Sequence, residues 1–172
     1  MKKFAFLLAA MLGLSVPVMG DNLLKNGEFE RTNANGTPAN WIVAVPKGGS
    51  CKTVTTGAPD GGSVTFTLPG QGKFSLRQLM TKALQPNTKY KVSFKIRGKN
   101  FKASVLGMAF INEGWRKANG NFKLQVTEKW QEYEEIYTTP DFKKQVWLVF
   151  YGLKAAGTVE ICDVEVEALD ND

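Results

Sequence analysis

The chain of 172 residues contains no histidine. That absence excludes Ser-His-Asp and Cys-His nucleophilic systems and histidine-ligated zinc. Cysteine is nearly absent as well: Cys51 and Cys162 are too few for a zinc knot. No glycine-rich phosphate loop is present, and nothing matches a dedicated nucleic-acid motif. Long helical periodicity is missing after residue 20. No segment there is apolar over the roughly 20 residues that a membrane span requires.

What is present begins with an address. Lys2 and Lys3 precede an apolar run from Phe4 to Leu14, and Val18-Met19-Gly20 offers small or tolerated residues before Asp21. This is the pattern of a cleaved secretory signal over residues 1–20, so the protein is expected in the extracellular or periplasmic space. Losing Lys2 and Lys3 lowers the formal net charge from +6 to +4. The remaining length suits one domain with a substantial core, expected over 21–169, with 170–172 frayed. The basic excess is dispersed, densest from Lys89 to Lys102. It suits a solvated surface or an anionic polymer such as a uronate-bearing glycan. In an oxidising space an even cysteine count predicts a bridge, Cys51–Cys162.

The body of the chain alternates. Ser63 to Leu68 does so cleanly up to Pro69-Gly70. Tyr90, Val92, Phe94 and Ile96 share one parity against Lys91, Ser93, Lys95 and Arg97. Val146, Leu148 and Phe150 oppose Trp147, Val149 and Tyr151, and Ala103 to Ile111 is a longer, more apolar run. Nine or ten short strands with Gly, Pro and Asn between them predict an all-β, two-sheet antiparallel sandwich.

Four motifs then resemble, in order, carbohydrate-binding modules of the family 4, 9, 16 and 22 type. They are Asn22-Leu23-Leu24…Asn26-Gly27-Glu28-Phe29-Glu30 with Gly36-Thr37-Pro38-Ala39-Asn40-Trp41; Leu84-Gln85-Pro86-Asn87-Thr88-Lys89-Tyr90 running to Gly98; Trp130-Gln131-Glu132-Tyr133 leading to Thr139-Pro140; and Gly157 to Val164. The resemblance implies a galactose-binding-like jelly roll that binds oligosaccharides in a groove or at its loop rim. It also implies a structural calcium between the amino-terminal segment and the closing strand, with Glu30 and Asp163 as ligands and Asp60 as a third. Calcium takes six to eight oxygens, which carboxylates and loop carbonyls can supply. Where the family often has two consecutive aspartates, this chain has Cys162-Asp163.

Sugar rings stack on flat aromatic faces and need planar hydrogen-bonding partners. Trp41 and Trp130 are expected in the core. Trp147 and Tyr151 share a parity and form a platform if their face is the groove. Trp115, in a polar loop, is a second stacking candidate. Gln78, Arg77, Lys95 and Arg97 are candidate polar contacts, subject to register. A glycosidase sets two carboxylates across a cleft. Glu28 with Glu30, or Glu132 with Glu134 and Glu135, are the available groupings; neither adjoins a cleft motif, and no catalysis is expected. The expected function is non-catalytic binding of a polysaccharide or oligosaccharide. The alternative is a structural or adhesion protein using the same sandwich for a protein partner or self-association, with Trp147 and Tyr151 in the interface.

Overall fold

The computed structural model describes residues 21–59, 61–80, 82–112, 117–139 and 145–169. The predicted signal segment, Asp60, Trp115 and the final three residues lie outside them. Eight strands appear: β1 (Ile42–Ala44), β2 (Ser50–Ala58), β3 (Gly61–Leu79), β4 (Lys89–Lys102), β5 (Val105–Asn112), β6 (Lys117–Lys123), β7 (Gln131–Thr138) and β8 (Val146–Ala168). All pairings are antiparallel. Among the described residues no helix is long and apolar enough to cross a membrane.

The hydrogen-bonded network is continuous, yet it forms two layers because β3 and β8 are long and bent. The first half of β8 lies between β5 and the second half of β3, with β6 and β1 outside them; this is layer A. The second half of β8 lies between β4 and the first half of β3, with β7 and β2 outside; this is layer B. The layers meet face to face through ring contacts: Phe94 of β4 with Phe150 of β8, centroids 4.9 Å apart, and Phe110 of β5 with Tyr137 of β7, 4.2 Å apart. The alternation expected for β4 is borne out: Tyr90, Val92, Phe94 and Ile96 are at most 1% exposed. So is the two-sheet all-β class.

Pro69-Gly70 reads as a strand end. Here β3 runs through it, with register shifts between Leu68 and Gly72 and between Gly72 and Phe74. Opposite, β8 turns at Lys154 and Gly157, both at positive φ. A bulge adds twist and bends a strand, so the chain passes from one layer to the other without leaving the ladder. That is why the described residues form eight strands where nine or ten are predicted.

The expected disulfide is not formed: Cys51 and Cys162 are both buried, with no bond between them. Cys51 pairs with Phe66 across the β2–β3 ladder, whereas Cys162 pairs with Ser63 on the far side of β3. Two strand spacings, about 10 Å, and three residues of offset, also about 10 Å, separate them. A disulfide needs Cα atoms no more than about 7 Å apart. The odd offset also turns the side chains to opposite faces: Cys51 belongs to the core cluster and Cys162 does not. Burial pushes the Cys51 thiol up to about 12, so it behaves as an inert apolar residue.

Candidate carbohydrate-binding face

The amino-terminal segment ties the chain's two ends together. Asn22 donates to the Val164 carbonyl at 3.0 Å, and its Oδ1 accepts from Val166 N at 3.1 Å. Leu23 N donates to the Val166 carbonyl at 2.9 Å. Asn26, only 6% exposed, sits at φ 59°. Its amide donates to the carbonyls of Arg31 and Ala39, both at 2.9 Å, and its Oδ1 accepts from Arg31 N at 2.9 Å. A Cβ at Gly27 would collide with the Val164 carbonyl, so the Asn-Gly pair is needed here for close approach as much as for turning. Phe29 is fully buried, and its ring lies 5.4 Å from that of Trp41, which is core as expected.

Gln78 belongs to this clasp rather than to a ligand surface. It is 5% exposed and faces the interior; its Oε1 accepts from Lys25 N and its Nε2 donates to the Lys25 carbonyl, both at 2.8 Å. A cleft of about 400 Å³ beside it is lined by Leu23, Lys25, Leu79 and Gln145 among others.

Lys95 and Arg97 project from the outer face of layer B. Lys95 Nζ meets Asp163 Oδ2 at 2.9 Å and Arg97 Nη2 meets Glu160 Oε2 at 2.9 Å. Arg97 also covers the ring of Trp130 at 4.6 Å, so Trp130 is a half-buried surface ring rather than the core residue expected. Three residues are the expected calcium ligands. Glu30 is exposed with Oε1 beside Gly61, the Asp163 carboxylate has an ammonium as its counter-charge, and Asp60 lies outside the described residues. Among the described residues no three metal-ligating side chains come together.

The outer face of layer A is different. Its register sets three cross-strand rows: Ile111, Trp147 and Leu79; Ala109, Val149, Arg77 and Ile42; Gly107, Tyr151, Ser75 and Ala44. Ala109, Ile111 and Val149 are buried and form a small apolar cluster of their own, with Trp147 and Tyr151 half-buried against it. The Arg77 guanidinium lies over the Trp147 ring at 5.3 Å, within cation–π range. Four residues along β8, about 13 Å, separate the two aromatics. A cleft of about 450 Å³ opens along this face, lined by Ala44, Lys73, Ser75, Ile111, Val149 and Tyr151 among others. The structure therefore brings Trp147, Tyr151 and Arg77 together and leaves Gln78, Lys95 and Arg97 elsewhere.

The CBM_4_9 family model, "Carbohydrate binding domain", matches residues 21–157. The chain belongs to this family. No curated protein matches it. Among solved structures, it is similar to one described as "CBM4 structure and function", at 19% identity and a TM-score of 0.65, covering 84% of this chain and 99% of that one. It is also similar to the CBM22-1 xylan-binding domain of Paenibacillus barcinonensis Xyn10C, at 15% identity and 0.61, covering 90% and 98%. A third is TmCBM61 in complex with β-1,4-galactotriose, at 20% identity and 0.61, covering 86% and 99%. These likenesses establish the jelly-roll fold of the carbohydrate binding domain.

Val149, Ala109 and Ile111, the floor of the face, were not singled out from sequence. The available signal was Ala103 to Ile111, apolar on both parities. A strand apolar on both faces is covered on both or lines something.

Proposed function

We propose that this is an exported, non-catalytic carbohydrate-binding protein that holds a polysaccharide chain along the outer face of layer A. The observation that carries this reading is the placement of Trp147 and Tyr151, both half-buried, on one face against the apolar cluster of Ala109, Ile111 and Val149. Two half-exposed rings about 13 Å apart on one face offer stacking surface to successive sugar rings. Arg77 and Ser75 supply polar edges in the neighbouring strand. The solved relatives bearing xylan-binding or galactotriose in their descriptions support a glycan as partner. The absence of histidine, and the absence of carboxylates from the described strands of this layer, support binding without catalysis.

A shallow open site of this kind binds in the micromolar to millimolar range, about −4 to −8 kcal/mol. Affinity electrophoresis across plant, algal and host glycans tests it. Wild type is retarded in at least one gel. Trp147→Ala and Tyr151→Ala each lower affinity about tenfold or more, about 1.4 kcal/mol, with unchanged melting temperature. Retardation indifferent to both substitutions would place the sugar elsewhere.

A further inference from the structure

The basic run from Lys89 to Lys102 divides at Arg97. Lys91 meets Glu167 at 2.8 Å, and Lys95 and Arg97 meet Asp163 and Glu160 at 2.9 Å each. Beyond them the register sets Lys99 and Lys102 against Thr158 and Ala156, so β8 offers no acid there. At this end of the sandwich two connections cross between the layers. Ala103-Ser104 carries the chain from β4 to β5, and residues 124–130 carry it from β6 to β7. A cleft of about 560 Å³ opens at this rim, lined by Phe101, Lys102, Leu106, Lys123, Gln125 and Val126 among others.

Both connections are pinned. Ser104 N and Oγ donate to the Leu153 carbonyl at 2.9 and 3.0 Å. Leu124 N donates to the Leu106 carbonyl at 2.9 Å and Gly98 N to the Thr127 carbonyl at 2.8 Å. The Tyr133 hydroxyl donates to the Gln125 carbonyl at 2.6 Å and accepts from Gln125 N at 3.0 Å. The lining is mixed. Leu106 is buried; Phe101 is half-buried, its ring edge-on to that of Phe74 at 6.4 Å. Against these stand the two lysines, one from each connection. The segments that build this rim, 98–112, 117–127 and 145–159, contain no aspartate or glutamate. Glu128, the next acid along the second connection, does not line the cleft. Glu113 and Asp141 fall outside the described residues, in segments that leave Asn112 and lead into Val146. Those two residues pair with each other, seven residues, about 23 Å, from the Val105–Leu153 pair beside the cleft.

We propose that this rim cleft is a second binding site, which takes a single sugar ring bearing a carboxylate or sulfate. The ring lies against Phe101 and Leu106, and the anion sits between the ammonium groups of Lys102 and Lys123. A preformed cleft of several hundred Å³ with apolar walls and a few convergent polar groups has the build of a small-molecule site. Like charges beside low-dielectric walls concentrate a counter-ion. The site does not depend on the layer A reading: Leu153, at its edge, lies six residues, about 20 Å, along β8 from Trp147.

The probes are galacturonate and galactose 6-sulfate, with galactose as the neutral ring and inorganic sulfate as the bare ion. Titration calorimetry reads affinity, and backbone amide shifts read location. At least one acidic ring should bind and move the amide signals of Ser104 and Gln125, while galactose and inorganic sulfate bind more weakly. Affinity should fall about tenfold between about 0.01 and about 0.15 M salt, as the Debye length shortens from about 30 to about 8 Å. The double variant Lys102→Gln, Lys123→Gln should lose binding with an unchanged melting temperature, Lys102→Arg with Lys123→Arg should keep it, and Trp147→Ala should leave it intact. The inference fails if neither acidic ring binds, if galactose or inorganic sulfate binds as tightly, or if binding survives the glutamine variant. Loss of binding in Trp147→Ala would move the acidic sugar to the layer A face. The layer A reading is tested separately by polymer retardation, so either site can fail alone.

Discussion

Asn26→Ala is the substitution expected to cost most for the fewest atoms removed. The side chain is buried and makes three hydrogen bonds to backbone groups of Arg31 and Ala39. Each such bond is worth about 1 kcal/mol net, and the partners left behind are poorly placed to find water. That gives about 3 kcal/mol. Alanine must also hold φ near 59°, a left-handed conformation that asparagine tolerates and alanine resists by about 1 kcal/mol. The expected loss is therefore about 4 kcal/mol, a large share of a typical 5–15 kcal/mol stability. Urea denaturation followed by tryptophan fluorescence reads it: at a slope of about 2 kcal/mol/M the midpoint falls by about 2 M. Asn26→Gly separates the contributions. It loses the same bonds without the conformational penalty and recovers about 1 kcal/mol. A loss below about 1 kcal/mol for Asn26→Ala, or identical losses for both variants, would refute the account of the clasp.

Three further outcomes follow from the geometry. A thiol count in denaturant without reductant should find two free thiols; none would mean a register in which Cys51 and Cys162 meet. Chelator should leave the melting temperature unchanged, because Lys95 already supplies the positive charge at Asp163; a fall on chelation that added calcium reverses would restore a metal at the clasp. Burial first, then the charges of Asp163 and Glu167, hold the Glu165 carboxyl above its ordinary value, against the pull of Lys91 and Ser93. The folded state then binds that proton more tightly than the unfolded one, so this group's contribution to stability falls as pH rises between the two values. Glu165→Gln should accordingly raise the denaturation midpoint at neutral pH relative to wild type and lose the advantage in acid. A variant less stable at neutral pH would contradict this.

Much of the fold was legible because strand alternation is local. The parity of β4, and the opposition of Val146, Leu148 and Phe150 to Trp147, Val149 and Tyr151, follow from a period of two and survive intact. What was not legible was which layer each strand joins. Lys95 and Arg97 look like groove residues until β4 is seen paired with the carboxylate-bearing half of β8. Gln78 differs from Arg77 by one position, and that single step turns it inward to Lys25. The same ignorance of strand order made a bridge between Cys51 and Cys162 look natural. The bends in β3 and β8 are also tertiary: Pro69-Gly70 looks like a stop, and only the partner strand shows that it is a corner.

The position of β8 has a consequence for biogenesis. It is the last of the described strands in chain order, yet it is the middle strand of both layers. Until about residue 168 has emerged, β3, β4 and β5 have no central partner to dock on, and the nascent chain can form hairpins but no sandwich. Closure of the two layers therefore waits for β8 and comes all at once when it slots between its neighbours.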